Sequence, residues 1–170
     1  DHQPWTPNKT GRGLQHDWEM FDRPTAMLRF RGAEDCSVMD CEFADSGAAG
    51  IRCDLHAQNI CISHNHIHDL GGVGVLLAGY GPGTKDVNHH NQVTDNHVHH
   101  VGRILWHAAG IFAWQSGHNE ICHNHVHHVS YCGIVVSGRI HMFQSDGEAS
   151  KTVRYHELPY NRSGPDTLPL

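Results

Sequence analysis

Apolar residues in the middle of this chain come in short runs that alternate with polar ones and restart after asparagine or glycine. The stretch "NICISHNHIHDLGGVGVLL", from Asn59, is the clearest. Ile60, Ile62 and Ile67 alternate with Cys61, Ser63, His66 and His68, the two-residue period of a half-buried strand. The pattern then returns. Ile62 aligns with Val38, Val93 and Ile121; Asn65 with Cys41, Asn96 and Asn124; Ile67 with Phe43, Val98 and Val126; Leu70 with Ser46, Val101 and Val129. A glycine opens the next strand each time, at Gly50-Ile51, Gly74-Val75, Gly110-Ile111 and Gly133-Ile134. The Asn/Cys positions lie 24, 31 and 28 residues apart, the length of a solenoid turn with insertions in its loops. A leucine-rich skeleton is absent, and helical repeats would need a 3.6-residue period. The pattern predicts an all-β chain, a parallel β-helix solenoid of about four coils.

Stacked coils turn equivalent residues into columns. Asn65, Asn96 and Asn124 should form an inward amide ladder that ends at Cys41, whose thiol cannot continue it. If Ile67, Val98 and Val126 point inward, His66, His97 and His125 form one outward column and His68, His99 and His127 another. Imidazole suits zinc, copper or nickel, so adjacent rungs are a place for a divalent ion. The expectation is nevertheless a solvated face, because a flat ladder offers ligands in pairs and a metal site wants three or four that converge.

Composition fits many turns: 38% of the 170 residues are apolar and 18 are glycine. A formal charge of −6 without a basic cluster argues against nucleic acid, and no apolar run is long enough to cross a membrane. No signal peptide is visible. The six cysteines, Cys36, Cys41, Cys53, Cys61, Cys122 and Cys132, contain no C-x-x-C pair and are expected mostly as buried free thiols. Residues 1–30 read as an N-terminal segment and cap, 31–140 as the solenoid, and 141–170 as a C-terminal strand, Thr152 to Leu158, followed by an irregular tail. Open solenoid ends would favour a homo-oligomer or a longer parent protein.

Two segments exceed the repeat, "YGPGTKDVNHH" from Tyr80 and "RILWHAA" from Arg103. They bring Tyr80, Trp106 and His107 near Trp114, which the alternation from Ile111 turns outward as a stacking surface for a sugar ring. Asp54 shares that outward register, and Asp86 leaves the intervening coil. The two could face each other as general acid and base or nucleophile, with His107 tuning them. Asp69 and Asp95 lie nearer the histidines. Lys85, Asn88, Gln115 and Arg139 could bind hydroxyls or an acidic sugar. Lys85 and Arg139 also suit a lyase.

From about Ala26 to Ile140 the coils resemble right-handed parallel β-helix proteins that act on polysaccharides. "DLH" at Asp54, "GYGPGTKDVN" at Gly79, "WHAAGIFAWQSGHN" at Trp106 and "VSGRI" at Val136 are similar to segments of large secreted bacterial β-helix proteins of the glycoside hydrolase type. Those proteins are longer, so the chain resembles a truncated member. The resemblance implies a right-handed solenoid, a secreted or periplasmic setting and a polysaccharide or oligosaccharide partner. The leading expectation is therefore a glycoside hydrolase or lyase with no required cofactor. One alternative is a non-catalytic β-solenoid binding fragment. Another is a metal-dependent hydrolase of small esters or lactones, with calcium, zinc or nickel on the histidine face.

Overall fold

A computed structural model describes residues 25–80 and 85–137 with their side chains, and the backbone of residues 162–163. It is all strand and all parallel. The first coil carries β1 (Ala26–Glu34), β2 (Ser37–Met39) and β3 (Glu42–Phe43), and the second β4 (Ala49–Gln58), β5 (Cys61–Ser63) and β6 (His66–His68). The third carries β7 (Val75–Ala78), β8 (Asn88–His89), β9 (Gln92–Thr94) and β10 (His97–Val101), and the fourth β11 (Ile111–Trp114), β12 (Glu120–Cys122) and β13 (His125–Val129). A further rung starts with β14 (Ile134–Ser137), and β15 (Arg162–Ser163) adds to β12.

Three sheets result, in the orders β1-β4-β7-β11-β14, β15-β12-β9-β5-β2 and β13-β10-β6-β3, with β8 beside β4. This is a parallel β-helix, and its register is that of the aligned repeat: Ile62 pairs with Val38 and Val93, Val98 with Ile67 and Val126, Ile111 with Val75 and Ile134. Ile51, Ile62, Ile67, Val75, Val93, Val98 and Ile111 are fully buried and form the axial core. Glycine is needed where Gly74 enters that core, since a Cβ there would lie 2.5 Å from the Gly110 carbonyl and 2.6 Å from Val98 Cγ1.

Left-handed residues mark the corners and recur every five residues. Asp35, Asn59, His90 and His118 form one corner column; Asp40, His64, Asp95 and His123 the next; Asp45, Asp69, His100 and His128 the third. Each has φ between 47° and 57°. Asp, Asn and His are the non-glycine types enriched in that region. Six histidines thus sit where the backbone selects for them.

The amide ladder forms as expected. Asn96 Oδ1 accepts from Asn65 N and Nδ2 at 3.0 Å each, Asn124 Oδ1 accepts likewise from Asn96, and Asn65 Oδ1 ends on Cys41 N. A second ladder, not anticipated, runs five residues earlier, from Asn119 Oδ1 to Asn91 N and from Asn91 Oδ1 to Ile60 N. The cysteines differ from expectation: none is bonded to another, but only Cys53 is buried. Cys36 and Cys41 lie on the first described rung, while Cys61 and Cys122 flank inward isoleucines and so point outward.

β1 begins at Ala26, inside the segment expected as a cap, because it pairs with β4 from Ala49 onward. Residues 1–24 and the expected strand Thr152 to Leu158 lie outside the described residues. No helix of the described residues is long and apolar enough to cross a membrane.

Candidate metal centre

The β3-β6-β10-β13 sheet turns Ile67 and Val98 inward, so their neighbours on either side form two outward columns. One is Glu42, His66, His97 and His125; the other holds His68, His99 and His127. Rings stack along each column at 4.8–5.0 Å between centroids. The columns also lean together across the sheet. His66 Nε2 lies 2.8 Å from His99 Nε2, and His97 Nε2 lies 2.8 Å from His127 Nε2. The expectation of a flat ladder with ligands only in pairs is therefore corrected: alternate residues of one strand are close enough for a diagonal, and the diagonals converge.

Three triads result: Glu42, His66 and His68; His66, His97 and His99; His97, His125 and His127. Within each triad the ligand atoms lie within 4.8 Å of one another. Imidazole nitrogens with a carboxylate oxygen suit a borderline divalent ion. With metal–nitrogen bonds of about 2.0–2.1 Å, two nitrogens at right angles lie about 2.9 Å apart, and at the tetrahedral angle about 3.3 Å. The 2.8 Å diagonals are ordinary hydrogen-bond lengths and lie near both spacings, so it is the donor chemistry, rather than the distance, that suits copper, nickel or zinc. The residues fit such an ion.

A supporting shell comes from the third corner column, which the sequence reading missed. Asp69 Oδ2 accepts from His68 Nδ1 at 2.8 Å, His100 Nδ1 faces His99 Nδ1 at 2.7 Å, and His128 Nδ1 faces His127 Nδ1. Arg103 pairs with Asp69 in turn. A partner on Nδ1 orients the ring and leaves Nε2 to the face. The signal was present in sequence, as the residue following each H-x-H.

Protonation follows from these neighbours. Asp69 and then Glu42 hold His68 above the usual imidazole range, and His68 holds both carboxyls below theirs. Burial and then the surrounding imidazoles push His99 down to about 4. His97 and His127 are lowered for the same two reasons. His97, His99 and His127 are therefore held toward the neutral imidazole form, the form that can offer a lone pair.

The residues expected to serve a sugar are placed differently. Asp54 is 3% exposed, with Oδ2 accepting from Arg29 Nε at 2.8 Å and Oδ1 facing Arg52 Nη2 at 3.1 Å. It is not open to a substrate, whereas Asp86 is exposed. The outward register was right, but β1 lays Arg29 across that position. Asn88 is likewise buried, donating to the Cys53 carbonyl and accepting from Ser116 and Asn91. Trp114 is half-buried rather than exposed, packed against an outer cluster in which Leu76 and Phe112 meet Ala108 and Ala109. Ile104 and Leu105 N–H both donate to the Gly71 carbonyl. Gln115 is a half-buried left-handed residue. Lys85 lies over the Tyr80 ring at 5.2 Å. Trp106 is 69% exposed beside His107, and Tyr131, 56% exposed, meets His107 edge-on at 5.6 Å. Arg139 lies outside the described residues.

A family model described as periplasmic copper-binding protein (NosD) matches residues 16–144. No curated protein and no solved structure matches the chain.

Proposed function

The chain belongs to the NosD family of periplasmic copper-binding proteins, and from that premise we propose that its histidine face is where it binds copper. The observation that carries this reading is the repetition of converging ligand triads along one face, from Glu42, His66 and His68 to His97, His125 and His127. Copper is here a bound ion held for storage or delivery. The chain's own part is to keep His97, His99 and His127 neutral by burial and crowding, to orient the rings from the corner residues, and to space the triads by the strand repeat.

The test is titration of the EDTA-stripped chain with copper(II). Tight binding should be lost in His66→Gln/His97→Gln and kept in Trp106→Ala. A double variant that binds as much copper as the parent would overturn the assignment.

A second reading, sugar binding, is favoured by the exposed Trp106 and Tyr131 on either side of His107. Such rings offer stacking faces to a pyranose. Burial of Asp54 in its arginine pair favours binding over paired-carboxylate hydrolysis. Retardation of the chain in gels containing a bacterial or plant polysaccharide, abolished in Trp106→Ala, would support it. Equal mobility across a polysaccharide panel would count against it.

A further inference from the structure

The three triads obey one rule: a first-column residue from one rung joins both face residues of the next. It follows that neighbouring triads share a side chain. His66 belongs to the first and second, His97 to the second and third. The outer two, Glu42–His66–His68 and His97–His125–His127, share nothing.

Sharing limits occupancy. A neutral imidazole has one nitrogen lone pair free for a ligand and one N–H. His66 turns Nδ1 toward Glu42 Oε1 at 3.9 Å and Nε2 toward His99 at 2.8 Å. To serve both triads at once it would have to give up the N–H proton. Repulsion acts the same way. Divalent ions on adjacent rungs would sit about 4.8 Å apart, and moving them to alternate rungs roughly halves the Coulomb energy.

We propose that the ladder takes two copper ions at saturation, one on each outer triad, and leaves the central triad of His66, His97 and His99 empty. The inference rests on the copper reading of the same face. It sets a rule for loading: one ion per two rungs, with the shared imidazoles each committed to one neighbour.

The test counts copper bound to the full chain and its variants by equilibrium dialysis against copper(II), reading differences from the parent so that histidines elsewhere cancel. Replacing His66 disables the first and second triads and spares the third, so His66→Gln should lose one ion. His97→Gln should also lose one, by sparing the first. The double variant should lose two. His99→Gln disables only the central triad and should lose none. Three independently filled triads would instead give losses of two, two, three and one, and a lost ion in His99→Gln overturns the proposal. If the double variant matches the parent, the copper reading itself has failed, which is a different outcome. An unchanged denaturation midpoint in metal-free buffer confirms that each variant is folded.

Discussion

At the scale of single residues, one side-chain type does two jobs here. Histidines at the corners, such as His90, His100, His118 and His128, stand at left-handed positions that also accept Asp or Asn. Histidines on the strands, such as His66 and His97, have ordinary strand geometry and are the ones that converge. Their titration has a sign. His97, His99 and His127 have folded pKa values below the unfolded value of about 6.5, so the unfolded chain binds more protons. Their contribution to stability is present above about pH 6.5 and is lost as pH falls toward the folded values. His68 runs the other way: its raised pKa stabilises below about 6.5 and fades as pH rises through the folded value. The largest of these shifts, the lowering of His99 to about 4, sets the sign. Urea midpoints in metal-free buffer should fall between pH 7 and pH 5, and a flat profile would mean the rings are not stacked. In the same way, Glu42→Gln should lower the His68 pKa in an NMR titration, since one of its two carboxylate partners is removed. The buried amides carry a larger effect. Asn96 is 1% exposed and its side chain joins Asn65, Asn124 and the carbonyls of Ile62 and Thr94. Asn96→Leu should destabilise by about 1–3 kcal/mol, measured by chemical denaturation, because the groups around it lose their partners.

At the scale of elements, the strand repeat controls what fits. Gly74 lies where the chain turns from a corner into β7, against the Gly110 carbonyl of the next rung. Gly74→Ala should cost about 1–3 kcal/mol by overpacking, with loss of thermal stability as the readout. The coils, their register and the first amide ladder were legible in sequence because they depend on a two-residue alternation repeated four times. The His-x-His columns were legible for the same reason. What was not legible depends on contacts across columns. The diagonal from His66 to His99 joins residues 33 apart that no linear pattern pairs. The burial of Asp54 depends on Arg29 from a strand outside the recognised repeat. Trp114 was expected outward and is outward in register, yet it packs against a cluster that includes Ala108 and Ala109, from a segment whose path the alternation does not encode. The second ladder through Asn91 and Asn119 could have been found, since both precede the next Asn by five residues.

At the scale of the whole molecule, the β-helix is a ruler that places one set of histidines per rung, and the family's description as periplasmic copper-binding proteins is what points the proposed reading to copper. Ions that bind only the folded face should stabilise it by mass action, about 2.7 kcal/mol per site at a hundredfold excess over Kd. Copper should therefore raise the melting temperature of the parent, EDTA should reverse the rise, and His66→Gln/His97→Gln should show neither change. The most direct measurement is anomalous diffraction at the copper edge from crystals grown with copper(II). The account predicts density on the β3-β6-β10-β13 sheet, within bonding reach of nitrogens from His66 and His68 or from His97, His125 and His127. Density confined to the corner pair His90 and His118 or to Cys41, or none on that sheet at saturating copper, would contradict it.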